Sequence, residues 1–328
     1  MSSILGSRAP YAGGVTRPLA LAVDLGGTKV EAALVDGSGI VLPGSRHRRP
    51  TGPTSASPAL ERAVREVVLA ARAAVPADAE LLGLGVGSAG PIGVAEGTVS
   101  PLNVPAWREY PLRRFIEDLL PGTPVTLRMD GVCIALAEHW VGAGRGAGNL
   151  LGMIVSTGVG GGLVLGGRAI PSPTGNGGHI GHIEVGGFED PCPCGGRGCL
   201  EAVASGPRTV AWARGQGFTG TTGEDLAVAH ASGDPVALAA VERAGTAIGR
   251  AAASASSLLD LDVVAIGGGF SRVSPALFEH ARAALAERTT FAFVTRTTIV
   301  PSGLSDEGPL IGAGALVHQS DLLDRPAV

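Results

Sequence analysis

The sequence contains no run of lysine and arginine, and its net charge is −4 with a pI near 6.0. Proteins that bind nucleic acid usually carry a basic patch, so we expect no nucleic-acid partner. No stretch of 18 or more uninterrupted apolar residues occurs, which argues against a transmembrane helix. Residues 1–17 lack the apolar segment of a signal peptide, and we expect a flexible tail there. These absences predict a soluble, cytoplasmic protein with no membrane partner.

Cysteine is scarce, with four residues in the chain, but three of them lie within eight positions. Cys192, Cys194 and Cys199 are separated by glycine and proline, and His182 precedes them. Such spacing is typical of a tetrahedral metal site, and a Cys3His set with no open position predicts structural Zn²⁺. Buried cysteines in a tight loop, or a disulfide with one cysteine left over, are the alternatives. The clustering fits metal-bound thiolates in a reducing cytosol better than a disulfide framework.

Glycine is abundant, with 52 residues that follow no collagen-like period and fall at strand ends. This pattern predicts a backbone that wraps small molecules, because glycine permits close approach. Apolar residues make up 45% of the 328 positions, which is enough for substantial cores. The length favours two domains.

Two glycine-rich segments have the same design, and each opens about half of the chain. In residues 19–35, two apolar runs flank Asp24-Leu-Gly-Gly-Thr-Lys29; in residues 150–165, two apolar runs flank Thr157-Gly-Val-Gly-Gly-Gly162. Each segment predicts a strand, a tight turn and a returning strand. The repetition predicts a duplicated domain with a cleft between the halves.

The two turns have the chemistry of a phosphate site. Glycine lets backbone N–H groups approach a phosphate chain, and a carboxylate with a hydroxyl can handle its metal ion. Asp24 and Thr28 supply those groups on the first turn, although many glycine-rich turns are only turns. Neither turn matches a P-loop. The segment Gly267–Gly269 follows a buried strand, and it could be an adenine platform or an ordinary strand-to-helix turn.

Alternating helix-like and strand-like segments predict mixed α/β layers. The expected helices are 58–74, 111–120, 132–141, 235–259 and 309–316, and the further expected strands are 81–86, 125–129 and 261–266. We expect a smaller N-terminal domain at 18–130, completed by a C-terminal helix at 309–328. A larger domain with the zinc loop is expected at 131–308.

These motifs together resemble the ROK family (repressors, open reading frames, kinases) of the actin/hexokinase superfamily, over about residues 18 to 318. The resemblance implies an α/β, two-domain actin-like ATPase (ribonuclease H-like) fold with a cleft between the domains. The resemblance rests on Asp24-Leu-Gly-Gly-Thr-Lys29, Gly87-Ser-Ala-Gly-Pro91, Asn103-Val-Pro-Ala-Trp107, Ser156-Thr-Gly-Val-Gly-Gly-Gly162, Gly178-His-Ile-Gly-His182, the cysteine loop through Glu201, and Gly267-Gly-Gly269.

ROK kinases transfer the γ-phosphoryl group of ATP to a sugar hydroxyl, commonly the 6-hydroxyl of a hexose or N-acetylhexosamine. The resemblance therefore implies ATP and Mg²⁺, with Asp130 as the catalytic base that accepts the hydroxyl proton. From the residues alone, Asp130 could instead be a helix N-cap, since a helix is expected to begin at Gly131 or Val132.

The resemblance also implies the binding residues. The implied sugar contacts are Asn103, Asp130, His179, His182 and Glu201. The implied ATP contacts are Asp24, Gly26, Gly27, Thr28, Lys29, Thr157, Gly158, Gly160, Gly268 and Gly269. Outside this context, Asn103 could be an ordinary turn residue and Glu201 a solvated residue in the first turn of a helix.

Two residues depart from the family pattern. His179 stands where the usual motif has the glutamate of Glu-x-Gly-His, which contacts the sugar near its anomeric end. Met129 stands where many relatives have asparagine before the catalytic aspartate. A neutral imidazole has one donor and one acceptor, and a thioether offers no strong partner to a hydroxyl. The identity of the sugar is therefore open.

We expect a glucose-type hexokinase, with an N-acetylglucosamine or N-acetylmannosamine kinase as the first alternative. A ROK transcriptional regulator is disfavoured because only 23 residues, including Pro10 and Pro18, precede Asp24. A sugar-binding protein without catalysis is disfavoured by the presence of Asp130. As in many relatives, a homodimer or homotetramer is expected.

Overall fold

The first half of the chain forms a five-stranded sheet around the expected hairpin. The computed structural model describes residues 16–170, 172–304 and 306–323. The strands of this half are β1 (Arg17–Leu25), β2 (Lys29–Asp36), β3 (His47–Pro50), β4 (Ala79–Ser88), β5 (Ile92–Gly93), β6 (Thr98–Val99) and β7 (Val125–Met129). The sheet has the order β3-β2-β1-β4-β7, while β5 and β6 pair separately. β1 is antiparallel to β2 and parallel to β4, which is parallel to β7.

Helices cover this sheet, which explains why its central strand is apolar on both faces. Residues 19–25 of β1 are all buried, as expected for a strand between two layers. The helices of this half are α1 (Ser57–Ala73), α2 (Leu112–Leu119) and α3 (Asp130–Trp140). In α1, Leu60, Val64, Val67 and Ala71 recur at helical spacing and form its buried face.

The second half repeats the design. Its strands are β8 (Leu150–Val155), β9 (Val159–Leu165), β10 (Arg168–Ala169), β11 (Val263–Gly267) and β12 (Thr298–Pro301). The sheet has the order β10-β9-β8-β11-β12, with β8 antiparallel to β9 and parallel to β11. Each sheet thus begins with an antiparallel hairpin that parallel strands extend. The predicted repetition is visible in the two strand orders.

Several helices of the second half were not predicted from the sequence. The helices are α4 (Leu200–Ala204), α5 (Gly206–Gly215), α6 (Gly223–Ala231), α7 (Pro235–Leu259), α8 (Ala276–Arg288), α9 (Ala292–Thr295) and α10 (Gly308–His318). Of these, α7 and α10 were expected with their bounds, and a helix was expected to begin near Glu201. The buried face of α7 is rich in alanine and packs against α4, α5, α6 and α8.

Helices α3 and α10 connect the two sheets. α10 packs on β1, β4 and α3, while α3 packs on β8 and β9. These contacts bring main chains together: a Cβ at Gly85 would lie 1.8 Å from the Ala313 carbonyl oxygen, and one at Gly131 would lie 2.0 Å from the Gly161 oxygen. The division at residue 130 stays a prediction, and residues 1–15 and 324–328 of the expected tail and C-terminal segment lie outside the described residues.

Some element boundaries differ from the expected ones. α3 begins at Asp130 rather than at Gly131 or Val132, and β11 begins at Val263 rather than at Leu261. Among the described residues, no helix combines the length and the apolar composition needed to cross a membrane.

Candidate active site

The first glycine-rich turn is held by hydrogen bonds to its own hairpin and to Thr51. The Gly26 N–H donates to the Lys29 carbonyl at 2.9 Å. The Thr51 N–H donates to the Thr28 carbonyl at 2.9 Å, and the Thr51 hydroxyl donates to the Gly26 carbonyl at 2.9 Å. A Cβ at Gly27 would lie 2.7 Å from the Asn103 Cβ. The structure therefore brings a predicted phosphate residue and a predicted sugar residue into contact.

The side chains around this turn have different surroundings. Asp24 is the residue before the last of β1 and is buried, which raises its pKa to about 7, with the nearby Asp130 carboxylate as the second cause. Thr28 is exposed. The Lys29 ammonium forms an ion pair with the buried Glu31. The turn thus combines a buried carboxyl group at Asp24 with an exposed hydroxyl at Thr28.

Asp130 is the first residue of α3, directly after β7. Burial raises its pKa to about 6, although the Gly131 N–H donates to its Oδ1 at 2.7 Å and opposes this rise. The residue at the N-cap position is Met129, so the N-cap interpretation of Asp130 is wrong. A Cβ at Gly160 would lie 4.0 Å from Asp130 Oδ1. The carboxylate therefore faces the start of β9, just after the second glycine-rich turn.

Glu201 is joined to the second turn. Its Oε2 accepts the Val159 N–H at 2.9 Å, and a Cβ at Gly158 would lie 2.6 Å from the same oxygen. Glu201 is in the first turn of α4, as expected, but it is partly buried and hydrogen-bonded, so the solvated interpretation is wrong. The Val159 N–H occupies Oε2, and no hydrogen bond to Oε1 is present among the described residues, so Oε1 is available to a ligand.

His179 and Met129 both lie against Gly90. A Cβ at Gly90 would lie 3.2 Å from His179 Nε2 and 3.4 Å from Met129 Sδ. Met129 is buried, and burial lowers the pKa of His179, which favours the neutral imidazole. The buried Nδ1 of His179 has no hydrogen-bond partner among the described residues. The two departures from the family pattern therefore form one wall.

Asn176 stabilises this wall and was not predicted from the sequence. Its Oδ1 accepts the Ile92 N–H at 2.9 Å, and its Nδ2 donates to the Ile92 carbonyl at 2.8 Å. No sequence signal could have found this contact, because asparagine between glycines is typical of any loop.

The predicted metal ligands converge. Ligand atoms of His182, Cys192, Cys194 and Cys199 all lie within 4.8 Å of one another. Cys192 Sγ is 3.7 Å from His182 Nδ1, and Cys194 Sγ is 3.7 Å from Cys199 Sγ. Four ligands at Zn–S distances of about 2.3 Å would be separated by about 3.8 Å. The four groups therefore suit a tetrahedral ion.

Two cavities flank the residues Gly267–Gly269 at the end of β11, which we call the glycine platform. Both cavities border Ser156 and Gly269. The first, of about 480 Å³, is partly apolar and also borders Thr157, Pro207, Thr222 and Phe270. Its wall at Thr222 was not predicted, although the motif Thr-x-x-Asp could have indicated it. Thr222 and Asp225 form a capping box at the start of α6.

The second cavity, of about 400 Å³, lies on the other side of the platform. It borders Lys29, Ile134, Gly268, Ser302 and Asp306, and therefore contacts residues of both halves of the chain. Gly268 and Gly269 are thus part of the cavity walls. They also form the expected strand-to-helix turn, because β11 ends at Gly267 and a single 3-10 helical turn follows at Phe270–Arg272.

Comparisons with known proteins agree with this arrangement. The profile of the ROK family matches residues 20–320. A glucokinase from Thermotoga maritima is 31% identical, covering 91% of this chain and 97% of the relative. An N-acetylmannosamine kinase from Shigella boydii is 32% identical, covering 76% and 82%. A ROK family glucokinase from Streptomyces griseus, solved with glucose and AMPPNP, is 28% identical, covers 92% and 99%, and has a TM-score of 0.78.

Two repeated sheets, each with a glycine-rich hairpin at a shared cleft, define an actin-like ATPase fold, as predicted. The chain belongs to the ROK family.

Proposed function

We propose that this protein transfers the γ-phosphoryl group of ATP to the 6-hydroxyl of a hexose, with glucose as the first substrate to test. Its similarity to known ROK kinases identifies it as an ATP-dependent sugar kinase. The proposal concerns the hydroxyl, the sugar and the residues that act.

The observation that carries the proposal is the buried Asp130 carboxyl at the start of α3. Its pKa of about 6 makes it mostly ionised at neutral pH yet basic enough to accept a proton. Asp130 would accept the proton of the sugar hydroxyl as that oxygen attacks phosphorus. Gly160, which leaves open space in front of Asp130 Oδ1, supports a phosphoryl group at this position.

Residues of the two turns would hold the phosphates. Backbone N–H groups of Gly27, Thr28 and Gly158 would bind them from opposite lobes, and Thr28 would add its hydroxyl. The Gly26 and Val159 N–H groups instead donate within the protein, to the Lys29 carbonyl and to Glu201. Asp24 would hold Mg²⁺, which offsets the charge of the phosphoryl oxygens when bound. The partly apolar 480 Å³ cavity beside Thr157 and Gly269 supports adenosine binding there. Lys29 would act at longer range, because it is paired with Glu31.

The sugar would lie between Asp130 and the wall that contains His179. Asn103 lies against Gly27, and Glu201 is hydrogen-bonded to Val159, so both proposed sugar contacts are tied to a phosphate turn. A displaced sugar would therefore also be displaced from the phosphoryl group. Such coupling lets sugar binding align the reacting atoms.

The Cys3His cluster would hold a structural Zn²⁺. The distances of 3.7 Å between its ligand atoms support a closed tetrahedral site. With Nδ1 of His182 on the metal, its Nε2 remains for a sugar hydroxyl. The ion would thus fix the ring orientation of a proposed sugar contact.

The wall of His179 and Met129 favours N-acetylhexosamine as the second candidate substrate. It replaces a carboxylate and an amide of the family pattern by a neutral imidazole and a thioether. An acetamido group has a carbonyl that can accept from an imidazole N–H and a methyl that can contact sulfur. An N-acetylmannosamine kinase is also among the relatives.

The test is ADP release from Mg-ATP with glucose, mannose, N-acetylglucosamine and N-acetylmannosamine, beside Asp130→Asn. We expect turnover with one sugar, a 6-phosphate product by NMR, and loss of turnover in the variant. Efficient turnover of N-acetylhexosamines with none of glucose would establish the second candidate. Sugar binding by calorimetry without turnover of any sugar would indicate the non-catalytic alternative.

We also propose domains at 18–130 and 131–308 that close when the sugar binds. A homodimer or homotetramer in the cytoplasm stays a prediction. Light scattering coupled to size exclusion measures the oligomeric state.

A further inference from the structure

We propose that Glu138 is a positioning residue for the nucleotide: it holds the loop 302–304 against the glycine platform of β11. This inference rests on the proposed function, since it concerns the same ATP site. Glu138 lies on α3, eight residues after Asp130, and belongs to no motif of the family resemblance.

The Glu138 carboxylate is fully buried and is surrounded by donors. Its Oε1 accepts the Ser302 hydroxyl. Its Oε2 accepts the Ala143 N–H at 2.8 Å and the Gly303 N–H at 3.3 Å. Among the described residues, no lysine, arginine or histidine forms an ion pair with it. A nonpolar side chain here would leave the Ser302 hydroxyl and the Ala143 and Gly303 N–H groups without this acceptor, so the carboxylate is what joins the loop to α3.

The loop held by Glu138 is a wall of the second cavity. Ser302 and Leu304 line this cavity together with Gly267, Gly268 and Gly269. A Cβ at Gly267 would lie 3.0 Å from the Ser302 Cβ, so the loop packs directly against the platform. A shift of Ser302 would therefore change the cavity on the side of the platform opposite the proposed adenosine.

The other side of the loop is equally close to its neighbours. A Cβ at Gly303 would lie 2.6 Å from the Ala143 nitrogen, and one at Gly142 would lie 2.2 Å from Glu138 Oε2. No side chain fits between the loop and the end of α3. Two hydrogen bonds, from the Ser302 hydroxyl and the Gly303 N–H, join the loop to the carboxylate, and the bond from the Ala143 N–H holds the carboxylate at the end of α3.

Helix α3 therefore carries both the proposed catalytic base and the residue that holds the nucleotide wall. Asp130 begins α3, and Glu138 lies about 12 Å further along its axis, at a rise of about 1.5 Å per residue. Asp130 faces the phosphoryl group, while Glu138 fixes the wall beside the nucleotide platform. α3 is thus a rigid support shared by both residues, and it fixes the position of the base relative to the nucleotide.

The experiment compares Glu138→Gln, Ser302→Ala and Thr297→Val with the wild-type enzyme. Glutamine keeps the size of the side chain. With its oxygen towards the Ala143 and Gly303 N–H groups, its NH2 faces the Ser302 hydroxyl, which would then have to accept instead of donate. Ser302→Ala removes only the bond to the loop hydroxyl. Thr297→Val is the matched control: its hydroxyl donates to the Leu261 carbonyl at 2.8 Å, at the opposite end of β12 from Ser302.

We expect the KM for ATP to rise about fivefold or more in Glu138→Gln and by less in Ser302→Ala, with kcat at saturating ATP within about twofold of wild type. Sugar affinity measured without nucleotide should not change. Combining both substitutions should add little to Glu138→Gln alone, because they break the same contact. Thr297→Val should leave the KM for ATP unchanged.

A fall in melting temperature with an unchanged KM for ATP would overturn the proposal and leave Glu138 a purely structural residue. Should Glu138→Gln fail to fold, Ser302→Ala with an unchanged KM for ATP has the same meaning. Calorimetric binding of AMPPNP gives a readout that needs no turnover. Weaker AMPPNP binding in these variants would therefore support the proposal even where no tested sugar is phosphorylated.

Discussion

The side-chain amide of Asn176 hydrogen-bonds both main-chain polar groups of Ile92, at 2.9 Å and 2.8 Å, across 84 positions of the sequence. Ile92 belongs to the small hairpin of β5 and β6, whereas Asn176 precedes the zinc loop. The preceding Gly175 has a φ of +87°, and a Cβ there would lie 2.3 Å from Val94 Cγ2. The two halves of the chain are therefore joined next to the wall formed by His179 and Met129.

Asn176→Ala should weaken sugar binding by about thirtyfold, since two hydrogen bonds worth about 1 kcal/mol each would be lost. The wall would then be free to move away from Gly90. Calorimetric titration with the preferred sugar measures this effect. Asn176→Asp keeps the acceptor for the Ile92 N–H and should have a smaller effect. Equal sugar affinity in Asn176→Ala and wild type would show that the contact has no role in sugar binding.

The acid limb of the pH–rate profile should lie in a window around pH 6. Asp130 must be ionised to accept a proton, and burial raises its pKa to about 6. At saturating Mg-ATP the proposed Mg²⁺ would keep Asp24 ionised, so Asp130 sets this window. Activity should therefore fall as the pH decreases through this window, and an unperturbed carboxylate would place the fall near pH 4. The profile of kcat/KM for the sugar, at saturating Mg-ATP, checks this. A rate constant that stays level down to pH 5 would show that the pKa of the catalytic base is not raised.

Asp130→Asn should be more stable than wild type at pH 8. The folded-state pKa of about 6 exceeds the usual 3.8, so ionisation of the buried carboxyl destabilises the folded state as the pH rises through 6. A difference of about two pKa units corresponds to roughly 3 kcal/mol. Urea unfolding measures it, and the gain should be smaller at pH 5.

Asp118→Asn is the control for that comparison, because Asp118 is on the exposed side of α2 and pairs with Arg114 at the surface. Its stability should match wild type at both pH values. A destabilised Asp130→Asn protein at pH 8 would mean that the carboxylate stabilises the fold, contrary to the expected sign.

Cys194→Ser should lose bound metal and sugar affinity together. Removing one of four ligands would open the site, and His182 would lose the ion that orients it. Elemental analysis should find about one zinc per wild-type chain and much less in the variant. Cys133→Ala should retain its zinc, because Cys133 is buried on α3 away from the cluster. Active wild-type protein without zinc would contradict the assignment.

The features that could be predicted from the sequence are those that depend on residues close together in the chain. The hairpins at 19–35 and 150–165 were found because apolar runs and glycines alternate in a short window, and the metal cluster because its cysteines are adjacent. The alanine-rich α7 and its long periodic pattern were also clear. Membership of the ROK family followed from the same local motifs and is confirmed.

The features that could not be predicted depend on residues far apart in the chain. Whether Asp130 precedes α3 or begins it depends on how tightly β7 runs into the helix. The bond between Glu201 and Val159 spans 42 positions and that between Glu138 and Ser302 spans 164. Short helices such as α4 and α9 have too few residues to show a period, so their existence follows from packing on α7.

Main chain contacts main chain from β4 through α10 and α3 to β9. A Cβ at Gly312 would lie 2.2 Å from the Cys133 carbonyl oxygen, and one at Gly162 would lie 2.2 Å from the Gly131 oxygen. Because no side chains lie between these main-chain segments, no side-chain rearrangement there could let the two halves slide past each other. In the proposed closure, this joint would serve as the pivot, because main-chain contact across α3 and α10 fixes the distance between the two halves at that point.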